Sequence, residues 1–172
     1  MKGAKMSTYF NADEIFQIGV QIETNGKLFY ETAAKQAQGD AAKKLFQELA
    51  LWENQHIELF EKLKLQLPEA AKKENLFDPD SELQMYIRAT ADSHVFAKSR
   101  DIPGLVSTLK APQEVFDLAI TFEKDSVVFY STMKKAVPES FGKDQIDALI
   151  NEEIKHIALL TREKEKLGTS EK

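Results

Sequence analysis

A glutamate precedes a histidine by three residues twice in this chain, at Glu53 and His56 and again at Glu153 and His156, at an offset of 100 positions. On a helix, residues three apart lie on one face about a turn from each other, so each pair can aim a carboxylate and an imidazole at one point. Such a pair either coordinates a metal or forms a salt-bridged histidine in a core. One Glu-x-x-His arises readily by chance. Two matched copies, each with a further glutamate 30 residues upstream at Glu23 and Glu123, favour the metal.

The elements that position these groups read as long helices. Seven glycines and five prolines punctuate 172 residues, and Pro68, Pro79, Pro103, Pro112 and Pro138 all fall outside the periodic segments. From about Asp13 to Gln38 the series Ile15, Gly19, Ile22, Gly26, Phe29 and Ala33 alternates steps of three and four. Asn11 and Glu14 are spaced as a capping box, and Gly39 is expected to close this helix. A second helix spans about Asp40 to Gln66 and stops at Pro68. A polar connection follows, and Ser81 with Gln84 opens a shorter helix to about Ser99. Another long helix begins at Ala111 and Pro112 and reaches Pro138, and the last runs from Phe141 to Leu167. Nothing reads as a strand. The expected fold is all-α: a four-helix bundle built from two antiparallel hairpins, in one domain over residues 1–172 with its core at 13–167. The crossover, about 68–111, carries one short extra helix.

The halves superimpose at the offset of 100 without a gap in the aligned helices. Glu14, Phe16, Glu23, Phe29, Tyr30 and Thr32 recur as Glu114, Phe116, Glu123, Phe129, Tyr130 and Thr132, and Leu49, Glu53, His56, Ile57, Leu59 and Leu67 recur as Leu149, Glu153, His156, Ile157, Leu159 and Leu167. Glu23, Glu53, His56, Glu123, Glu153 and His156 sit on apolar stripes, where an ionisable group is costly unless it is paired or bound to metal. Thirty residues folded into a hairpin return the chain to nearly the same height, so all six converge at mid-bundle. Four carboxylates balance two divalent cations, which predicts a two-metal site.

These features resemble the rubrerythrin-related branch of the ferritin-like superfamily from Glu14 to Leu167, through the motifs IETNGKLFY, WENQH, FEKDSVVFY and EEIKH. The resemblance implies a ferritin-like four-helix bundle with Glu23 and His56 as terminal ligands of one iron, Glu123 and His156 of the other, and Glu53 and Glu153 as bridges. The donor set suits iron, or manganese, better than zinc. The implied activity is reduction of peroxide or dioxygen at the di-metal centre. Rubrerythrins typically carry another glutamate one turn beyond the ligand of the third long helix, where this chain has Ser126. Many also carry a rubredoxin-like tail with paired Cys-x-x-Cys motifs; with no cysteine here, electrons are expected from an external donor protein. Iron storage with ferroxidase activity, and a non-enzymatic metal-stabilised interaction bundle, are the alternative functions.

Around the ligands, Tyr30 and Tyr130 lie two turns after Glu23 and Glu123, where their hydroxyls can bond a ligand carboxylate on a facing helix. Gly26 and Ser126, one turn after the same glutamates, leave space either for a small molecule or for close helix packing. Glu152 aligns with Trp52, which cannot coordinate, so Glu152 reads as flanking or solvated. Trp52 reads as packing, with electron relay as its second role. His94, with no counterpart in the other half, reads as structural or exposed.

Composition removes other classes. With 23 basic and 28 acidic residues and a net charge of −5, the chain is no nucleic-acid binder. Charged residues at 30% interrupt every apolar run, so no membrane span is expected. Met1 to Asn11 carry two lysines without an apolar run behind them, which points to a cytoplasmic location. The crossover stretch Leu76 to Leu109 can pack on its own bundle or on a second chain as a homodimer.

Overall fold

A computed structural model describes residues 10–73, 78–94, 101–137 and 141–170. Its helices are α1 (Ala12–Gln36), α2 (Asp40–Gln66), α3 (Glu69–Lys73), α4 (Glu82–Ser93), α5 (Ile102–Thr108), α6 (Pro112–Ala136) and α7 (Lys143–Ser170), and no strand occurs among the described residues. The helix α1 packs along α2 and α6 along α7, which gives the two hairpins. They meet through α1 against α6 and α2 against α7. This is the all-α four-helix bundle that the periodicity predicts.

Helix ends follow local chemistry. The Asn11 side chain accepts from the Glu14 N–H (2.9 Å), and the Glu14 carboxylate accepts from the Asn11 N–H (3.0 Å), a complete capping box. At the equivalent end of α6, Glu114 accepts from the N–H groups of Lys110 (2.7 Å) and Ala111 (3.1 Å). The expected role of Gly39 is corrected. Ala37 ends α1 in an extended conformation, and Gly39, at φ −134°, precedes α2 as its N-cap. Among the described residues only Gly142 uses glycine's left-handed freedom, at φ +69° just before α7.

The crossover differs more. It holds three short helices among the described residues, not one, and α4 ends at Ser93 with His94 as its C-cap; residues 95–99 of the expected helix lie outside the described residues, as do Leu76 and Pro138. Ser81 makes no cap bond and sits in the left-handed region at φ 58°. Asp78 takes over the capping by accepting from the Gln84 N–H (2.8 Å). Gln84 is thereby free to tie down Phe10, accepting from its N–H (2.6 Å) and donating to its carbonyl (2.9 Å). The unforeseen α5 starts where the Asp101 carboxylate accepts from the Gly104 N–H (2.9 Å), with Pro103 in its first turn. Packing α4 on α6 and α5 on α1 buries Ile87, Ile102 and Val106, so the described crossover covers its own bundle.

The repeat is visible even on the surface. Lys64 on α2 donates to Gln17 on α1, and Lys164 on α7 donates to Asp117 on α6, at the same offset of 100. In the core, aromatic rings fill both hairpins, with Phe16, Phe29, Phe60, Phe116, Phe122 and Phe129 essentially inaccessible.

The two caps make a paired prediction. Asn11→Ala should cost about 1 kcal/mol by loss of its side-chain bond. Ser81→Gly should instead stabilise by roughly 1 kcal/mol by relieving the left-handed backbone. Urea unfolding of both variants measures this, and stabilities ordered the other way would contradict the cap assignments.

Candidate metal centre

The six expected ligands meet. Glu23 comes from α1, Glu53 and His56 from α2, Glu123 from α6, and Glu153 and His156 from α7; all are at most 4% exposed. Their donor atoms form two groups, each within 4.8 Å: Glu23, Glu53, His56 and Glu153 in one, Glu53, Glu123, Glu153 and His156 in the other. Glu53 and Glu153 belong to both groups. Each group thus has one glutamate and one histidine of its own and two shared carboxylates, an arrangement that can hold two cations side by side with the shared pair between them.

Both imidazoles turn Nδ1 inward. His56 Nδ1 lies 3.2 Å from Glu153, 3.4 Å from Glu53 and 3.7 Å from Glu23. His156 Nδ1 lies 2.9 Å from Glu153 and 3.6 Å from Glu123. The protein leaves much of this cluster unsatisfied. Glu23 Oε2, both oxygens of Glu53, His56 Nδ1, Glu123 Oε2 and Glu153 Oε1 are buried without a hydrogen-bond partner. Orphaned buried polar atoms are rare because each costs roughly 1–3 kcal/mol. Here they gather at one point and all are of metal-ligating type, so the residues present fit a pair of metal ions.

The electrostatics agree. Burial, reinforced by the charge of Glu23, raises Glu53 well above the usual carboxylate range. Burial and the neighbouring Glu153 push Glu123 up to about 8. For Glu153, burial is outweighed by the charge of His56 and the bond from His156, and the carboxyl falls below its usual range. The histidines are pulled down by burial but raised more strongly by surrounding carboxylates, His56 by Glu153 and Glu23, and His156 by Glu123 and Glu153 to about 9. In the metal-free protein, protons on these groups take over the neutralising role of cations.

The tyrosines cross the bundle. The Tyr30 hydroxyl donates to Glu123 and the Tyr130 hydroxyl donates to Glu23, so each hairpin orients the other's glutamate. Both tyrosines are inaccessible, and burial with the glutamate charges raises them well above the usual phenol value, which keeps them neutral donors.

The small residues are filled by rings. A Cβ on Gly26 would stand 2.4 Å from the Phe122 ring, so this glycine admits Phe122, not a small molecule. Ser126 is buried and hydrogen-bonded to His94 Nε2 (3.2 Å). His94 itself, 2% exposed, projects from the end of α4 and packs edge-on against Phe122. Burial lowers it to about 4, and it is neutral at neutral pH. It is therefore a buried partner of the centre's surroundings and not an exposed residue. Ser126 carried the available signal: a hydroxyl on a buried face requires a partner.

Two further side chains reach the histidines. Glu152 is half-exposed but its carboxylate accepts from His56 Nε2 (3.1 Å), and Trp52 stacks on His156 with centroids 4.8 Å apart and 9° between planes. Neither belongs to the metal-ligating groups.

The unsatisfied cluster should weaken the metal-free protein. Glu53→Leu removes two orphaned oxygens and is expected to stabilise the chelator-treated chain by roughly 1–3 kcal/mol. Thermal unfolding in chelator measures it; a lower melting temperature than wild type would contradict the unsatisfied state of Glu53.

No family model and no curated protein matches this chain. It is similar to a solved structure from Thermotoga maritima described, provisionally, as a ferritin-like diiron-carboxylate protein, at 24% identity and a TM-score of 0.72, over 91% of this chain and 96% of that one. The similarity establishes the fold as ferritin-like.

Proposed function

We propose that the chain is a two-metal carboxylate protein that reduces peroxide or dioxygen, with electrons supplied by an external donor protein. The observation that carries this reading is the set of orphaned buried donors divided into two groups with Glu53 and Glu153 in common. In it, Glu23 and His56 would hold one ion and Glu123 and His156 the other, with Glu53 and Glu153 shared between them. Four carboxylates with two imidazoles suit iron or manganese; the description of the Thermotoga maritima protein as diiron-carboxylate favours iron.

A ferrous pair, when bound, supplies two electrons, which with two protons convert hydrogen peroxide to two waters. The chain's residues provide the setting. Tyr30 and Tyr130 hold Glu123 and Glu23 in place, and Phe122 with the surrounding rings keeps bulk water away. The two shared carboxylates differ in environment: both Glu53 oxygens lack a hydrogen-bond partner, whereas Glu153 is held by His156. No helix among the described residues is long and apolar enough to cross a membrane.

Anaerobic loading with ferrous iron should give two ions per chain by metal analysis, and stopped-flow addition of peroxide should oxidise them. Glu53→Leu should lower that rate at least tenfold. Less than one ion per chain, or equal rates in the two proteins, would remove the proposal. Loading should also release protons, because Glu123 at about 8 and His156 at about 9 retain theirs at neutral pH without metal. Apparent affinity is therefore expected to rise from pH 6 to pH 8, up to tenfold per pH unit for each proton displaced. A flat affinity over that range would contradict protonated ligands.

A further inference from the structure

We infer that the two metal positions are inequivalent and fill in order, the Glu23–His56 position first, because Glu152 holds His56 while its counterpart Trp52 merely covers His156. The inference rests on the two-metal reading above. Under the offset of 100 the six ligands and the two tyrosines map onto one another, but the residue before each bridging glutamate does not: it is tryptophan in one half and glutamate in the other.

Each of these residues reaches the histidine of the opposite hairpin. Glu152 Oε2 stands 3.1 Å from His56 Nε2, whereas the Trp52 indole lies flat on the His156 ring. Both imidazoles present Nδ1 to the centre. With Nδ1 committed to a metal, the ring hydrogen resides on Nε2, and at His56 a carboxylate accepts it. A charge-assisted bond of this kind fixes the tautomer and the ring plane and makes the inward nitrogen a stronger donor. The indole fixes the ring plane but offers only an N–H, so it cannot accept the hydrogen of His156. Glu152 also adds negative charge on the His56 side; its side chain is 51% exposed, and solvent weakens this contribution without changing its sign. Both effects favour the same position. Glu152 is a positioning residue, acting on the metal through His56.

The chain has one tryptophan, so the emission of Trp52 reports on the His156 side. Manganese titrated into the metal-free full-length chain, followed by calorimetry and by Trp52 fluorescence, should show two binding steps separated at least tenfold. Most of the emission change should fall in the second step. Glu152→Ala should weaken the first step about tenfold or more and leave the second within about twofold. Glu152→Gln, which keeps an acceptor without the charge, should lie between. Unchanged melting of the metal-free Glu152→Ala variant separates this effect from a folding defect. Two ions that bind indistinguishably, an emission change confined to the first equivalent, or a first step unaffected by Glu152→Ala would overturn the ordering alone. Fewer than two ions in the wild type would overturn the two-metal reading and the ordering with it.

Discussion

Four carboxylates closed off from water at mid-bundle constrain everything around them. Ionised and unpaired, they would repel one another in a medium that screens little, and even as neutral acids they leave oxygens without partners. The molecule meets that constraint by crossing its supports. Tyr30 and Tyr130 each bond the glutamate of the opposite hairpin, and His56 lies against carboxylates from both halves. The centre is therefore also the joint between hairpins. A duplicated unit that could not bury its own acidic face alone becomes stable when two copies share it, with protons or cations to neutralise what remains.

Departures from the duplication are as informative as its matches. Phe122 stands where the first half has Ile22, and its larger ring occupies the room left by Gly26. Ser126 stands opposite Gly26 in the repeat and receives His94 from the crossover. The crossover belongs to neither copy, so what it contributes breaks the pseudo-symmetry by construction. Glu152 and Trp52 break it again, one by a hydrogen bond and the other by stacking. The six-ligand core is symmetric while the layer outside it is not, which permits two like-ligated positions to differ.

Helices and ligands were legible because both are written as short-range spacing: steps of three and four mark the buried faces, and ionisable residues on those faces stand out against them. Tyr30 and Tyr130 could be placed for the same reason. The crossover was less legible. Its helices depend on single side chains chosen among competing caps: Ser81, in the left-handed region, makes no cap bond, and Asp78 accepts from the Gln84 N–H in its place. The space beside Gly26 was ambiguous, since a missing side chain indicates room without naming what enters it.

By itself the amino-acid order determined the bundle, its duplication and the six buried donors, because periodicity and the cost of burying charge act locally and repeat with each turn. Only tertiary structure decided that His94 faces Ser126, that Phe122 closes the gap at Gly26, and that Glu152 and Trp52 reach opposite histidines. Those contacts join residues 32, 96 and 104 positions apart. At such separations the contacts follow from how one hairpin and the crossover settle on the other, where side-chain size and hydrogen-bond geometry select the partner.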